Sequence, residues 1–213
     1  MKLNIQAILE SIKKGVQDVV DQVLASFKIS KKITSLQSED QIKLFIQQRS
    51  AYVTQTTLYG YLKTRIGTRY LSMFEDKVFS ESIDIAKWNI YVTALADCTL
   101  YVHSYLVAKK GLKENSAEKI FNEIIEDEKK NGLNEKLVNE TKIEFAQRLR
   151  EVNWQNYYAE DPFIKSGYAL YRWSPIADEL KVLDKEIVLN SIMLKWNLVK
   201  NEFLELTDKF ENI

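Results

Sequence analysis

Six residues in the first third of the chain could together hold an anion. Arg49, Thr56, Thr57, Gly60, Lys63 and Thr64 recur at helical spacing, and at 100° per residue they share one sector with Ile42, Phe45, Ile46 and Val53. Basic and hydroxyl groups inset in an apolar wall can receive a phosphate, a carboxylate or the charged head of an amphipathic molecule. A glycine among them, lacking a Cβ, lets a ligand or another helix come close to the backbone. The plain alternative is an internal ion-pair network whose threonines bond back to their own helix carbonyls. Either way Arg49 and Lys63 need charge partners. Asp97 lies in an apolar run where an unpaired carboxylate would cost several kcal/mol, and Glu186 lines the rim of an apolar stripe, so these two are the expected partners.

Other combinations fit catalysis poorly. His103 is the only histidine, so a hydrolase of esterase type would have to pair it with a Ser or Thr hydroxyl. No G-x-S-x-G elbow accompanies it, and a packed, hydrogen-bonded histidine is the simpler expectation. Tyr59 and Lys63 form a Y-x-x-x-K pair like that of short-chain dehydrogenases, but no glycine-rich dinucleotide turn follows a strand. One cysteine, Cys98, and one histidine cannot build a zinc, iron–sulfur or di-iron centre, so no metal and no cofactor are expected.

The helix that would carry the anion-binding face reads as one element from Ser38 to Phe74. Ser38 and Gln41 form a capping box at its start, and Gly67 is placed to bend it. Its other face, with Leu44, Ala51, Tyr52, Leu62, Ile66 and Tyr70, is apolar too, which predicts neighbours on both sides. Around it six more helical segments follow from periodicity and caps. One precedes it, about Leu3 to Phe27, with Ile5, Ile8, Leu9, Ile12, Val16 and Val23 in register and a mixed-charge opposite face. That segment can dock on the rest or lie apart as an arm, and its polar face lacks the basic excess of a membrane-surface helix. Later segments run about Ser80 to Lys110 (closed by Gly111), Ser116 to Lys130 (before Gly132) and Glu135 to Val152. An aromatic link from Trp154 to Trp173 with one short helix comes next, a core filling or a partner surface. Ser174 and Pro175 then read as the start of a last helix reaching Lys209, apolar at Ile176, Leu180, Leu183, Ile187, Leu194 and Leu198.

No strand-like alternation, repeat or Gly/Pro-rich linker interrupts this pattern, and the chain holds only six glycines and two prolines. The expected fold is all-α: a single-domain bundle of about six or seven helices over residues 1–213, with two long central helices. Thirty basic and thirty acidic residues cancel, which gives no electrostatic reason to expect nucleic-acid binding. The apolar stretch Trp88 to Val107 carries Asp97, His103 and several hydroxyls, and fits a core helix better than a transmembrane span. The amino terminus lacks the shape of a signal peptide, and sparse cysteine suits a cytoplasmic protein.

Three strings, TTLYGYLKTRIGTRY (56–70), SIDIAKWNIY (82–91) and RWSPIADELKVLDKEIVLNS (172–191), together resemble an uncharacterised family of bacterial all-helical proteins of about this length. The resemblance spans most of the chain. Some members of that family carry the label "esterase", so the resemblance implies a bacterial intracellular origin and keeps an esterase-type hydrolase using His103 as the alternative function. From the residues themselves, the leading expectation is a non-enzymatic helical protein that binds a partner protein or a lipid-like, amphipathic anionic small molecule.

Overall fold

The computed structural model of the chain describes residues 33, 35–114 and 116–208. The chain divides after Lys32 into two units, and the described residues belong to Ile33–Ile213. The helix expected at about Leu3 to Phe27 lies outside them.

Every regular element among the described residues is helical. Helix α1, Glu39–Ile66, begins at the expected capping box: the Ser38 hydroxyl accepts from the Gln41 N–H while the Gln41 side chain accepts from the Ser38 N–H. The long helix expected to reach Phe74 stops earlier. Gly67 adopts φ 63°, a left-handed conformation that an L side chain resists, and a single 3-10 turn (Gly67–Arg69) leads into a four-residue helix α2, Tyr70–Met73. Asp76 then caps α3, Lys77–Lys110, by accepting from the Phe79 N–H at 2.9 Å, and Gly111 at φ 70° closes it. Helix α4 (Ser116–Lys130) has the expected bounds, and α5 (Glu135–Glu151) starts where expected and ends one residue before Val152, its C-cap.

The aromatic link holds a 3-10 turn, Tyr157–Ala159, and helix α6, Ile164–Trp173; the last helix, α7, spans Asp178–Thr207. Ser174 does not cap that last helix. Its hydroxyl donates back to the Leu170 carbonyl at 2.6 Å and so finishes α6 instead. The helical start moves to Asp178, where two acids in the first turn meet the positive end of the helix dipole.

Helix α3 is the hub. It packs against α1 and α6 most extensively, and also against α4 and α5. It is the one described helix long and apolar enough to cross a membrane, yet 83% of that window is buried within the bundle, so its apolar surface is already covered. Large aromatic groups fill the gaps between helices. Phe163 stacks on Trp196 at 4.1 Å, Phe121 stacks on Phe145 at 3.7 Å, and Tyr101 meets Phe203 at 5.4 Å.

The last helix turns its other side inward. Val188, Ile192, Trp196, Val199, Phe203 and Leu206 are buried, while Leu180, Leu183, Ile187, Leu194 and Leu198 are 41–75% exposed. Both sets have helical periodicity, so spacing alone cannot choose between them. The buried set carries Trp196 and Phe203, which remove the most area from water, and its edge carries the acids that meet arginines on α1.

Candidate functional site

Helices α1 and α7 run antiparallel and are tied by charge at both ends. Arg49 donates through Nε to Glu202 at 2.6 Å and through Nη2 to its second oxygen at 2.5 Å, a two-pronged grip. Arg65 grips Asp184 in the same bidentate way, and the Tyr61 hydroxyl adds a third donor at 2.8 Å. Between them, the Lys195 ammonium lies over the Tyr52 ring. The partner of Arg49 is a carboxylate from another helix, but it is Glu202 and neither of the two expected acids. Glu186 lies on the exposed side of α7, and Asp97 serves a different cation.

The remaining members of the α1 set are dispersed. The Thr56, Thr57 and Thr64 hydroxyls donate to the Tyr52, Val53 and Gly60 carbonyls at 2.7–2.9 Å, the back-bonding that threonines make in mid-helix. Thr57 is buried; Gly60, Lys63 and Thr64 face solvent. A Cβ on Gly60 would meet no atom within 4 Å, so among the described residues neither a helix nor a pocket wall approaches the backbone there.

The buried polar centre of the described bundle forms around Asp97. This residue of α3 is fully buried and accepts from Arg148 Nη2 of α5 at 2.5 Å. Its other oxygen accepts the backbone N–H of Ser166, in the first turn of α6, at 2.8 Å, so Asp97 caps a helix remote in sequence. Burial pushes the Asp97 carboxyl above its ordinary range, and the Arg148 guanidinium and the Ser166 N–H pull against that rise. Arg148 Nη2 also donates to the Tyr157 hydroxyl at 3.0 Å, which in turn donates to the Pro162 carbonyl. The Ser166 hydroxyl accepts from Trp196 Nε1 at 2.9 Å and donates to the Phe163 carbonyl. One carboxylate therefore positions α5, the 3-10 turn and α6, and through Ser166 it reaches α7.

Arg148 is the residue that sequence reading missed. Val138, Thr141, Phe145 and Arg148 are the buried residues of α5, at steps of three, four and three. Extending the apolar stripe by its own period from Val138 and Phe145 leads to an arginine in a core position, a signal that a buried acid must exist elsewhere. A cleft of about 610 Å³ opens beside it, lined by Leu100, Arg148, Val152, Tyr157, Ile164 and five charged or amide groups at its mouth. Three of those, Glu151, Glu160 and Asp161, are acidic and face one cation, Lys165. Since Arg148 is neutralised by Asp97, the opening has an excess of negative charge and repels the anion that the sequence suggested.

The groups considered for catalysis have quiet surroundings. His103 is fully buried, its Nδ1–H donates to the Thr99 carbonyl at 2.9 Å, and among the described residues its Nε2 has no hydrogen-bond partner and no hydroxyl reaches it. Burial lowers its pKa to about 4. Burial raises the Tyr59 phenol to about 12, opposite to the shift a Y-x-x-x-K pair needs, and raises the Cys98 thiol to about 12 as well. Glu128 is a second buried carboxylate, satisfied by the Tyr91 hydroxyl at 2.8 Å, Asn131 at 2.9 Å and Gln47 at 3.3 Å. No group of three metal-ligating side chains occurs among the described residues.

What stands open is the outer face of α7. Leu180, Leu183, Ile187, Leu194 and Leu198 form one strip along the helix, at 41%, 75%, 67%, 66% and 57% exposure. Glu179, Glu186, Asn190 and Asn197 border it. Scattered exposed apolar residues are ordinary on any surface; five in one helical register are not. Compared with protein-family models, with curated proteins and with solved structures, the chain matches none.

Proposed function

We propose that this protein works by binding another protein, as a helical interaction module whose docking surface is the outer face of α7. The observation that carries this reading is the strip of five exposed leucine and isoleucine side chains on a helix whose opposite side is fully packed. Among the described residues nothing covers this second stripe, although the first is fully packed. An apolar strip bordered by polar residues has the make-up of a groove-and-helix contact, read at i, i+3, i+4 and i+7. The rigid support behind it also suits docking, because the α1–α7 charge ties and the Trp196 stack hold the helix in place before any partner arrives.

Of the two kinds of ligand considered from sequence, a protein has the better support. The basic and hydroxyl groups of α1 are bonded to Glu202, to their own helix carbonyls, or are open to solvent, and the cleft beside Arg148 has an acidic mouth. The test is photo-crosslinking in cells from a benzophenone amino acid placed at Leu194, with the same probe at the exposed Ile143 of α5 as control. A discrete protein adduct from Leu194, absent from Ile143 and abolished by Leu183→Glu, is the expected result. No adduct from Leu194 would reject the reading.

A further inference from the structure

Resting on that reading, we propose that the partner is a second copy of this chain, docked antiparallel along α7 about a two-fold axis passing between Asn190 and Ser191. Four of the five strip residues are symmetric about that point, and the fifth, Leu180, has Asn201 at its mirror position. Leu183 and Leu198 are equally far from it along the helix, and so are Ile187 and Leu194. A two-fold interface must be complementary to itself, with residue i meeting j and j meeting i. An antiparallel pair in this register sets Leu183 beside Leu198 of the partner subunit and Ile187 beside Leu194 of the partner subunit. That makes four apolar layers from residues that are each 57–75% exposed in one chain.

The polar residues fit the same register. Asn190 and Ser191 lie on opposite borders of the strip, so the two-fold brings Asn190 next to Asn190 of the partner subunit and Ser191 next to Ser191 of the partner subunit. Amides and hydroxyls both donate and accept, so each can bond to its own copy. A polar pair in the middle of an apolar seam sets register, because any slip would bury it against leucine. On the asparagine border, Glu186 comes beside Asn197 of the partner subunit, so the two copies bring no pair of acids together there. The four paired apolar side chains expose on the order of 500 Å² per chain, so pairing two copies covers about 1,000 Å², near the lower bound for a specific interface. A reversible dimer of micromolar strength is the consequence.

Sedimentation equilibrium on the full chain, from about 1 to 200 μM, measures this association. The wild type is expected to dimerise within that range. Leu183→Glu and Asn190→Asp should each weaken the dimer at least tenfold at pH 7 with unchanged far-ultraviolet circular dichroism, since both side chains are exposed in the single chain. Orientation is read by disulfide trapping. A mixture of Ile187→Cys and Leu194→Cys chains should form a mixed disulfide faster than either variant does with itself, with the native Cys98 buried and silent. A wild type that stays monomeric up to about 200 μM overturns the pairing. Faster self-linking of Ile187→Cys than mixed linking overturns the antiparallel register. A monomer that still yields a Leu194 crosslink to a different protein sinks the second copy and leaves the interaction reading standing. A monomer with no crosslink removes both.

Discussion

Asp97 and Arg148 meet at 2.5 Å in the interior of the bundle, a fully buried carboxylate and a guanidinium that is 7% exposed, separated by fifty-one residues of chain. The pair does more than cancel charge. Through Ser166 and Tyr157 it sets where the aromatic segment starts its helix, and thereby where Phe163 stacks against Trp196. Removing one partner leaves the other ion stranded in low dielectric, which is the costly way to break a buried pair.

Arg148→Met is accordingly expected to lower stability by about 3–5 kcal/mol, measured by urea denaturation at pH 7. The double variant Asp97→Asn/Arg148→Met should recover part of that loss, since no bare charge remains. A loss of under about 1 kcal/mol for Arg148→Met would show that Asp97 finds water or another donor.

His103 gives the fold a dependence on pH. In the unfolded chain it takes a proton near pH 6.5, but in the fold only near pH 4. The unfolded state therefore binds more protons between those values, so stability falls as pH drops through this window and levels off below it. The full shift corresponds to about 3 kcal/mol at 1.36 kcal/mol per unit. Urea melts at pH 7 and pH 4.5 should show the wild type losing about 2–3 kcal/mol more than His103→Gln over the same interval. Equal losses in the two proteins would mean that His103 titrates normally in the fold.

The two charge ties between α1 and α7 should differ in strength. Asp184 is 4% exposed and receives Arg65 and Tyr61, whereas Glu202 is 38% exposed. Asp184→Asn is expected to cost about 2 kcal/mol and Glu202→Gln under about 1 kcal/mol. Raising salt to about 1 M should narrow the cost of Glu202→Gln and leave that of Asp184→Asn nearly unchanged, because only the exposed pair is screened.

Two glycines of the same stretch should respond oppositely to alanine. Gly60 is exposed in mid-helix with free space around its Cβ position, so Gly60→Ala should raise stability by up to about 1 kcal/mol. Gly67 ends α1 at φ 63°, so Gly67→Ala should lower stability by about 1 kcal/mol or more. Thermal melts of the two variants beside the wild type decide the point; destabilisation by Gly60→Ala would mean that something packs on that face.

Local features were legible from residues alone because their causes are local. The Ser38–Gln41 box, the Gly111 stop and the bounds of α4 depend on neighbours within one helical turn, and so does the all-helical character of the chain. The need for an acid on another helix opposite Arg49 was also readable, since a cation in an apolar sector requires one. Which acid could not be read. Asp97 is on α3, Glu186 and Glu202 are both on α7, and the rotation of α7 about its axis and its register along α1 decide that Glu202 reaches Arg49.

That rotation was set by the tertiary structure. Helix α7 carries two apolar stripes of equal periodicity, and the choice between them depends on what area each buries against helices far away in sequence. Burying Trp196 and Phe203 against Phe163 and Tyr101, together with the Arg49 and Arg65 ties, outweighs burying leucines alone. The same holds for Arg148, whose place in the core makes sense only once α3 brings Asp97 across from it. Periodicity determined that these helices form and which sides are apolar. Which apolar side faces inward is a property of the whole assembly of helices, because burial energy depends on the partner surface and not on the stripe by itself.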